Sequence, residues 1–217
     1  ILLGTEGARW LEGSLEPLRE FHKLGLRELQ LVWAFPNALV PDGRLSPFGR
    51  KVVEECERLG IVVDLTHLPP GAFEDVVAVT DQPVIVSHGS AAGVTVDITD
   101  SQLKKLASTG GLIGIHFYQT YLGKNPKLEN VARQVDYIAN LIGIDHVALG
   151  VDFFPTHGAW LKLQQDQGAF DLQWAIEDMS KMPLITRALL DHGFSEGDIR
   201  KVLGLNFTRV YQEVLGS

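Results

Sequence analysis

Two short β-branched runs each end in a histidine. They read Ile61-Val62-Val63-Asp64-Leu65-Thr66-His67 and Val84-Ile85-Val86-Ser87-His88. Continuous apolar runs of this length suit strands buried on both faces, as in a parallel sheet. The segment from Pro69 to Thr80 between them reads as a helix. Strand, helix and strand, with an imidazole at the carboxyl end of both strands, restrict the chain to parallel β/α folds. In β/α barrels that end of the strands carries the active site. Imidazole is also the commonest protein metal ligand, so the pair points to a metal site.

The same alternation runs through most of the chain. Strands are expected over Ile1 to Thr5, Glu28 to Val32, Ile61 to Leu65, Val84 to Ser87, Leu112 to Phe117 and Val147 to Val151. Helical spacing of apolar residues marks Ser14 to Leu24, Leu45 to Leu59, Ala72 to Thr80, Asp100 to Thr109, Leu128 to Ile142 and Leu184 to His192. Thr99 and Ser195 supply helix N-caps, and Asn206 to Leu215 is a last helix. The stretch from Pro155 to Asp171 reads as a long loop over a strand end. Such an order of elements means an α/β fold with a parallel sheet. A closed barrel has eight strands and roughly 250 residues. Here six strands are evident in 217 residues, so further segments complete a barrel or the sheet is open.

Composition narrows the function. A net charge of −8 argues against nucleic-acid or anionic-membrane binding, which call for basic patches. No segment has the ~18 continuous apolar residues of a membrane span. The one cysteine, Cys56, excludes an internal disulfide and reads as a packing residue on a helix. It fits a reducing compartment, and a cytoplasmic location is the expectation, with any targeting signal upstream of Ile1 out of view.

Four candidate site residues stand at strand ends: Glu6, His67, His88 and Asp152. Two carboxylates and two imidazoles form the ligand set of a zinc site, each drawn from a different strand. Asp64 is either a partner that orients a ligand or a member of a structural salt link.

Seven segments, in order, resemble the membrane dipeptidase (renal dipeptidase) family of zinc metallopeptidases in the amidohydrolase superfamily. They are Leu3-Gly4-Thr5-Glu6-Gly7, Leu45-Ser46-Pro47-Phe48-Gly49-Arg50, Val63-Asp64-Leu65-Thr66-His67, Pro83-Val84-Ile85-Val86-Ser87-His88-Gly89-Ser90-Ala91, Gly110-Gly111-Leu112-Ile113-Gly114-Ile115-His116-Phe117-Tyr118, His146-Val147-Ala148-Leu149-Gly150-Val151-Asp152-Phe153, and Gly193-Phe194-Ser195-Glu196-Gly197-Asp198-Ile199-Arg200-Lys201-Val202-Leu203-Gly204-Leu205-Asn206-Phe207. The resemblance implies a (β/α)8 TIM-like barrel of the amidohydrolase type. Residues 1–217 would be a single domain showing the third to eighth strands and lacking the first two. It implies two zinc ions and hydrolysis of dipeptides. Glu6 would bridge the metals, His67 and His88 would hold the second, and Asp152 would be the acid/base beside the water. Tyr118 and Trp33 would line the substrate pocket, or are core aromatics. A homodimer is implied in the same way.

The chain also departs from the family pattern. The His-x-Asp ligands of the first metal are absent, as are the strands that would carry them. No arginine, the family's clamp for a terminal carboxylate, occurs in Ala91 to Thr99. The Asp-Phe-Asp-Gly that usually ends the last strand reads Asp152-Phe153-Phe154-Pro155, and His116 stands where asparagine is common. His116 is either a pocket donor or a proton carrier, and strand parity decides which way it faces. Beside the zinc dipeptidase-like hydrolase, two readings stay open: a same-fold amidohydrolase acting on a different amide, and a non-catalytic relative with an incomplete metal site.

Overall fold

The computed structural model describes residues 2–33, 35–91, 97–153 and 173–216. Six strands form one parallel sheet in sequential order: β1 (Leu3–Thr5), β2 (Leu26–Gln30), β3 (Val62–Asp64), β4 (Ile85–Gly89), β5 (Leu112–Ile115) and β6 (Val147–Leu149). The connecting helices are α1 (Glu16–Lys23), α2 (Pro47–Leu59), α3 (Pro70–Val77), α4 (Asp100–Ser108), the single turn α5 (Gln119–Leu122) and α6 (Leu128–Ile142). Three more follow: α7 (Leu184–His192), α8 (Glu196–Arg200) and α9 (Asn206–Leu215). No described helix is long and apolar enough to cross a membrane. The loop expected over 155–171, His157 within it, Phe154-Pro155 and residues 92–96 lie outside the described residues.

Side chains alternate across each strand, and the two faces have different partners. Val63, Val86, Ile113 and Val147 join the main core with the connecting helices, including Val52 and Cys56 of α2 and Phe73 of α3. Burial pushes the Cys56 thiol up, in keeping with a packing role. Val62, Ile85, Leu112 and Ala148, each one residue out of phase, pack instead against Val210, Tyr211 and Val214 of α9. The last helix therefore covers the amino-terminal half of the second face. Asn206 ties it down by donating to the carbonyls of Ile144 and Val147, each at 2.7 Å.

The elements follow the expected ones with physical differences at their ends. β2 was expected to reach Val32 but ends at Gln30. Beyond it the Asn37 amide donates to the Leu31 carbonyl at 2.7 Å and the Gln30 amide to the Val32 carbonyl at 2.8 Å. Side chains there take over from the ladder. Thr99 and Gln102 cap α4 reciprocally, an arrangement that satisfies two otherwise orphaned amides.

Candidate metal centre

The face that α9 covers at one end is open at the other, and there the strand-end residues converge. β1 leads into Glu6. Directly after it Gly7 turns the chain at φ 83°, and a β-carbon there would meet Trp33 at 3.2 Å. His67 lies beyond β3 with φ 65°, and Asp152 beyond β6 with φ 46°. Left-handed backbone at a residue other than glycine costs roughly 1–3 kcal/mol and concentrates at functional sites.

His88 reaches the same face by a different device. On β4, Ser87 and His88 together stand opposite the single residue Gly114 of β5, between the paired positions Val86–Ile113 and Gly89–Ile115. One extra residue in a strand is a β-bulge, which re-aims a side chain. The bulge pushes the Ser87 carbonyl oxygen across β5. It comes to 2.1 Å from where a β-carbon would sit on Gly114, and equally close for Gly150. Only glycine fits at those two positions.

The result is a tight donor cluster. His88 Nε2 lies 3.3 Å from His67 Nε2, and Glu6 Oε1 lies 3.4 Å from the His67 nitrogen and 3.8 Å from the His88 nitrogen. A tetrahedral zinc with bonds of ~2.0–2.2 Å separates its ligand atoms by roughly 3.3–3.6 Å. The 3.3 and 3.4 Å separations fall in that range, the 3.8 Å one lies just beyond it, and two imidazoles with a carboxylate are the donor chemistry of such an ion. The glutamate beside His67 holds that imidazole above its ordinary range, whereas burial pulls His88 below it. Neutral imidazole is the form that ligates.

Beside this cluster lies a second pair. The buried His116 Nε2 stands 3.2 Å from Asp152 Oδ2, and the Tyr118 N–H donates to His116 Nδ1 at 3.2 Å. With Nδ1 accepting, the ring proton sits on Nε2 and points at the aspartate. Burial pushes Asp152 up, but the bond from His116 and the charges of His88, His116 and His67 outweigh it, so the carboxyl titrates below its ordinary range. His88, His116 and Asp152 also lie close enough together to form a metal-ligand group. That group and the Glu6–His67 group compete for one lone pair, because His88 Nδ1 is engaged by Ser87 at 3.0 Å.

Aromatic side chains wall the site. Tyr121 stacks on His116 with ring centroids 4.5 Å apart, and burial pushes its phenol up to about 12. Tyr118 packs on Trp174 at 5.4 Å, and the Trp174 indole donates to the Asp152 carbonyl at 3.3 Å. Trp33, three residues beyond β2, is half exposed and lies against Gly7, the residue after Glu6. An apolar cavity of about 310 Å³ opens beside His67, lined by Val32, Phe35, Pro36, Val40 and Pro69. Sequence reasoning missed Tyr121, Trp174 and Ser87. Tyr121 had a faint signal, one turn after Tyr118, whereas nothing local marks Trp174.

The sequence profile of the membrane dipeptidase family (peptidase family M19) matches residues 1–215. The chain belongs to this family. Dipeptidase tcpJ of Claviceps purpurea (strain 20.1) is 36% identical over 229 residues, covering 98% of this chain and 50% of tcpJ. An amidohydrolase from Pseudomonas aeruginosa superposes with a TM-score of 0.91 at 29% identity, over 100% of this chain and 73% of that one. A metallopeptidase from Rhodobacter sphaeroides, liganded with a phosphinate mimic of the dipeptide L-Ala-D-Ala, superposes with a TM-score of 0.83 at 29% identity. That match covers 98% of this chain and 63% of the metallopeptidase. The chain spans about half the length of the curated relatives it matches. Its six-stranded parallel sheet is thus shared with amidohydrolase barrels, and M19 membership implies a metal cofactor.

Proposed function

We propose that this membrane dipeptidase family member is a zinc-dependent hydrolase of dipeptides. The observation that carries the reading is the convergence of Glu6, His67 and His88, their ligand atoms within 3.8 Å of one another, beside the His116–Asp152 pair. Glu6, His67 and His88 would hold the ion. A zinc bound there would supply Lewis acidity for attack of water on an amide.

The chain's own residues then have separable tasks. Asp152, held below the ordinary carboxylate range, is ionised at neutral pH and accepts the proton of the attacking water. It returns that proton to the leaving amine. His116 Nε2–H donates to the carboxylate and holds it in place while the proton is carried. The apolar cavity beside His67 suits an apolar substrate side chain, and the half-exposed Trp33 and Tyr118, packed on Trp174, would serve as aromatic walls of the substrate pocket.

Hydrolysis of Ala-Ala and L-Ala-D-Ala by the zinc-loaded full-length protein tests this. Asp152→Asn should lower kcat by ~10²–10⁴, the range of general acid–base catalysis, with zinc content kept. Unchanged turnover in that variant would remove Asp152 from the chemistry.

A further inference from the structure

Asp64 is fully buried, and its hydrogen bonds run to Thr66 and to Ser87, the residue beside His88. Its Oδ1 accepts from the Thr66 N–H at 2.9 Å, the Thr66 hydroxyl at 2.6 Å and the Ser87 N–H at 3.0 Å. Its Oδ2 accepts from the Ser87 hydroxyl at 2.6 Å. A carboxylate can only accept, and each hydroxyl has one proton to give. Both hydroxyl protons are therefore committed to Asp64. Ser87 Oγ also stands 3.0 Å from His88 Nδ1. With its own proton spent, Oγ can only accept there, so the proton in that contact must sit on His88 Nδ1.

We propose that Asp64, acting through Ser87, holds His88 in the Nδ1–H tautomer, leaving the Nε2 lone pair facing His67 and Glu6. Asp64 and Ser87 are positioning residues. The inference rests on reading His88 as a ligand, and it explains why a buried carboxylate stands under the β4 bulge. Partners of this kind typically contribute 10–100-fold to metal affinity.

Asp64→Asn reverses the hydrogen-bond direction. Three donors converge on the Oδ1 position, so the amide oxygen must stay there and the amide nitrogen must take the Oδ2 position. That nitrogen donates to Ser87 Oγ, freeing the Ser87 proton for His88 Nδ1 and moving the imidazole proton to Nε2. The test is a pair of measurements on the full-length protein. Nitrogen-15 NMR of the metal-free protein reads the His88 tautomer, and chelator competition reads zinc affinity. Expected are Nδ1–H in the wild type, Nε2–H in Asp64→Asn, and a 10–100-fold loss of zinc affinity in that variant. Ser87→Ala should lose about 10-fold and Ser87→Thr should largely restore it, which keeps the test open should Asp64→Asn fail to fold. An Nε2–H tautomer in the metal-free wild type, or equal zinc affinity across these variants, overturns the proposal. A wild type that binds no zinc overturns the metal-centre reading instead, while the tautomer measurement still decides the relay.

Discussion

The carbonyl oxygen of Ser87 occupies the space that a β-carbon on Gly150 would need, 2.1 Å from it. The bulge that aims His88 at the metal centre therefore depends on a strand that β4 does not pair with. Gly150 itself is held by its N–H bond to the Ile115 carbonyl at 3.0 Å, so it cannot retreat without breaking the β5–β6 register.

Gly150→Ala should consequently flatten the bulge. The expected outcome is at least a tenfold loss of zinc affinity together with ~1–3 kcal/mol of stability, the usual cost of overpacking. Urea unfolding and chelator competition check the two effects separately. An alanine variant with wild-type zinc affinity would mean that the bulge does not set the position of His88.

His116 is assigned to Asp152 and not to the ion. His116→Asn should lower kcat 10–100-fold and leave zinc stoichiometry unchanged. Loss of zinc from this variant would make His116 a ligand.

Glu28 predicts a stability change near neutral pH. Burial and the neighbouring Asp64 push its carboxyl up to about 7, against the opposing bond from the Tyr211 hydroxyl. The folded protein thus holds a proton that the unfolded chain, titrating near ~4.3, has released. Stability should fall as pH rises from about 4.5 through 7 and level off above. Glu28→Gln keeps an acceptor for Tyr211 and should abolish that slope. Urea midpoints at pH 5 and 8 for both proteins decide it; parallel slopes would contradict the assignment.

Glu55 predicts the opposite sign at acid pH. The Arg58 and Arg19 guanidiniums, at 2.6 and 2.7 Å, outweigh burial and hold its carboxyl down to about 2. Its contribution is full above the unfolded value of ~4.3 and is lost as pH falls towards 2. Glu55→Gln should cost about 1 kcal/mol at pH 7 and progressively less below pH 4, read by thermal melts across that range. A constant difference at all pH values would remove the ion pairs as its source.

How much could be read from the chain alone follows from the range of each interaction. His67 and His88 were legible because a buried strand is a local pattern and its carboxyl end is a defined place. Asp152 follows the same rule, whereas Glu6 was placed by strand position alone, because β1 is largely exposed. The facing of His116 was not, since it depends on β5 running without a bulge from Leu112 through Gly114, while β4 takes the extra residue. Ser87 looked like one more strand residue, and only its contacts with Asp64 and with the glycines of β5 and β6 give it a role. The seating of α9 on one face of the sheet was equally hidden, because its apolar stripe would suit either face. Trp174 reaches the site from beyond the undescribed stretch 154–172, with no periodic signal to place it.

The most direct test is zinc binding measured by competition titration on the full-length protein and its His67→Ala and His88→Ala variants. Each substitution should remove bound zinc or weaken its binding by several orders of magnitude while circular dichroism stays that of the folded protein. Folded variants that bind zinc as the wild type does would contradict a metal centre built on Glu6, His67 and His88.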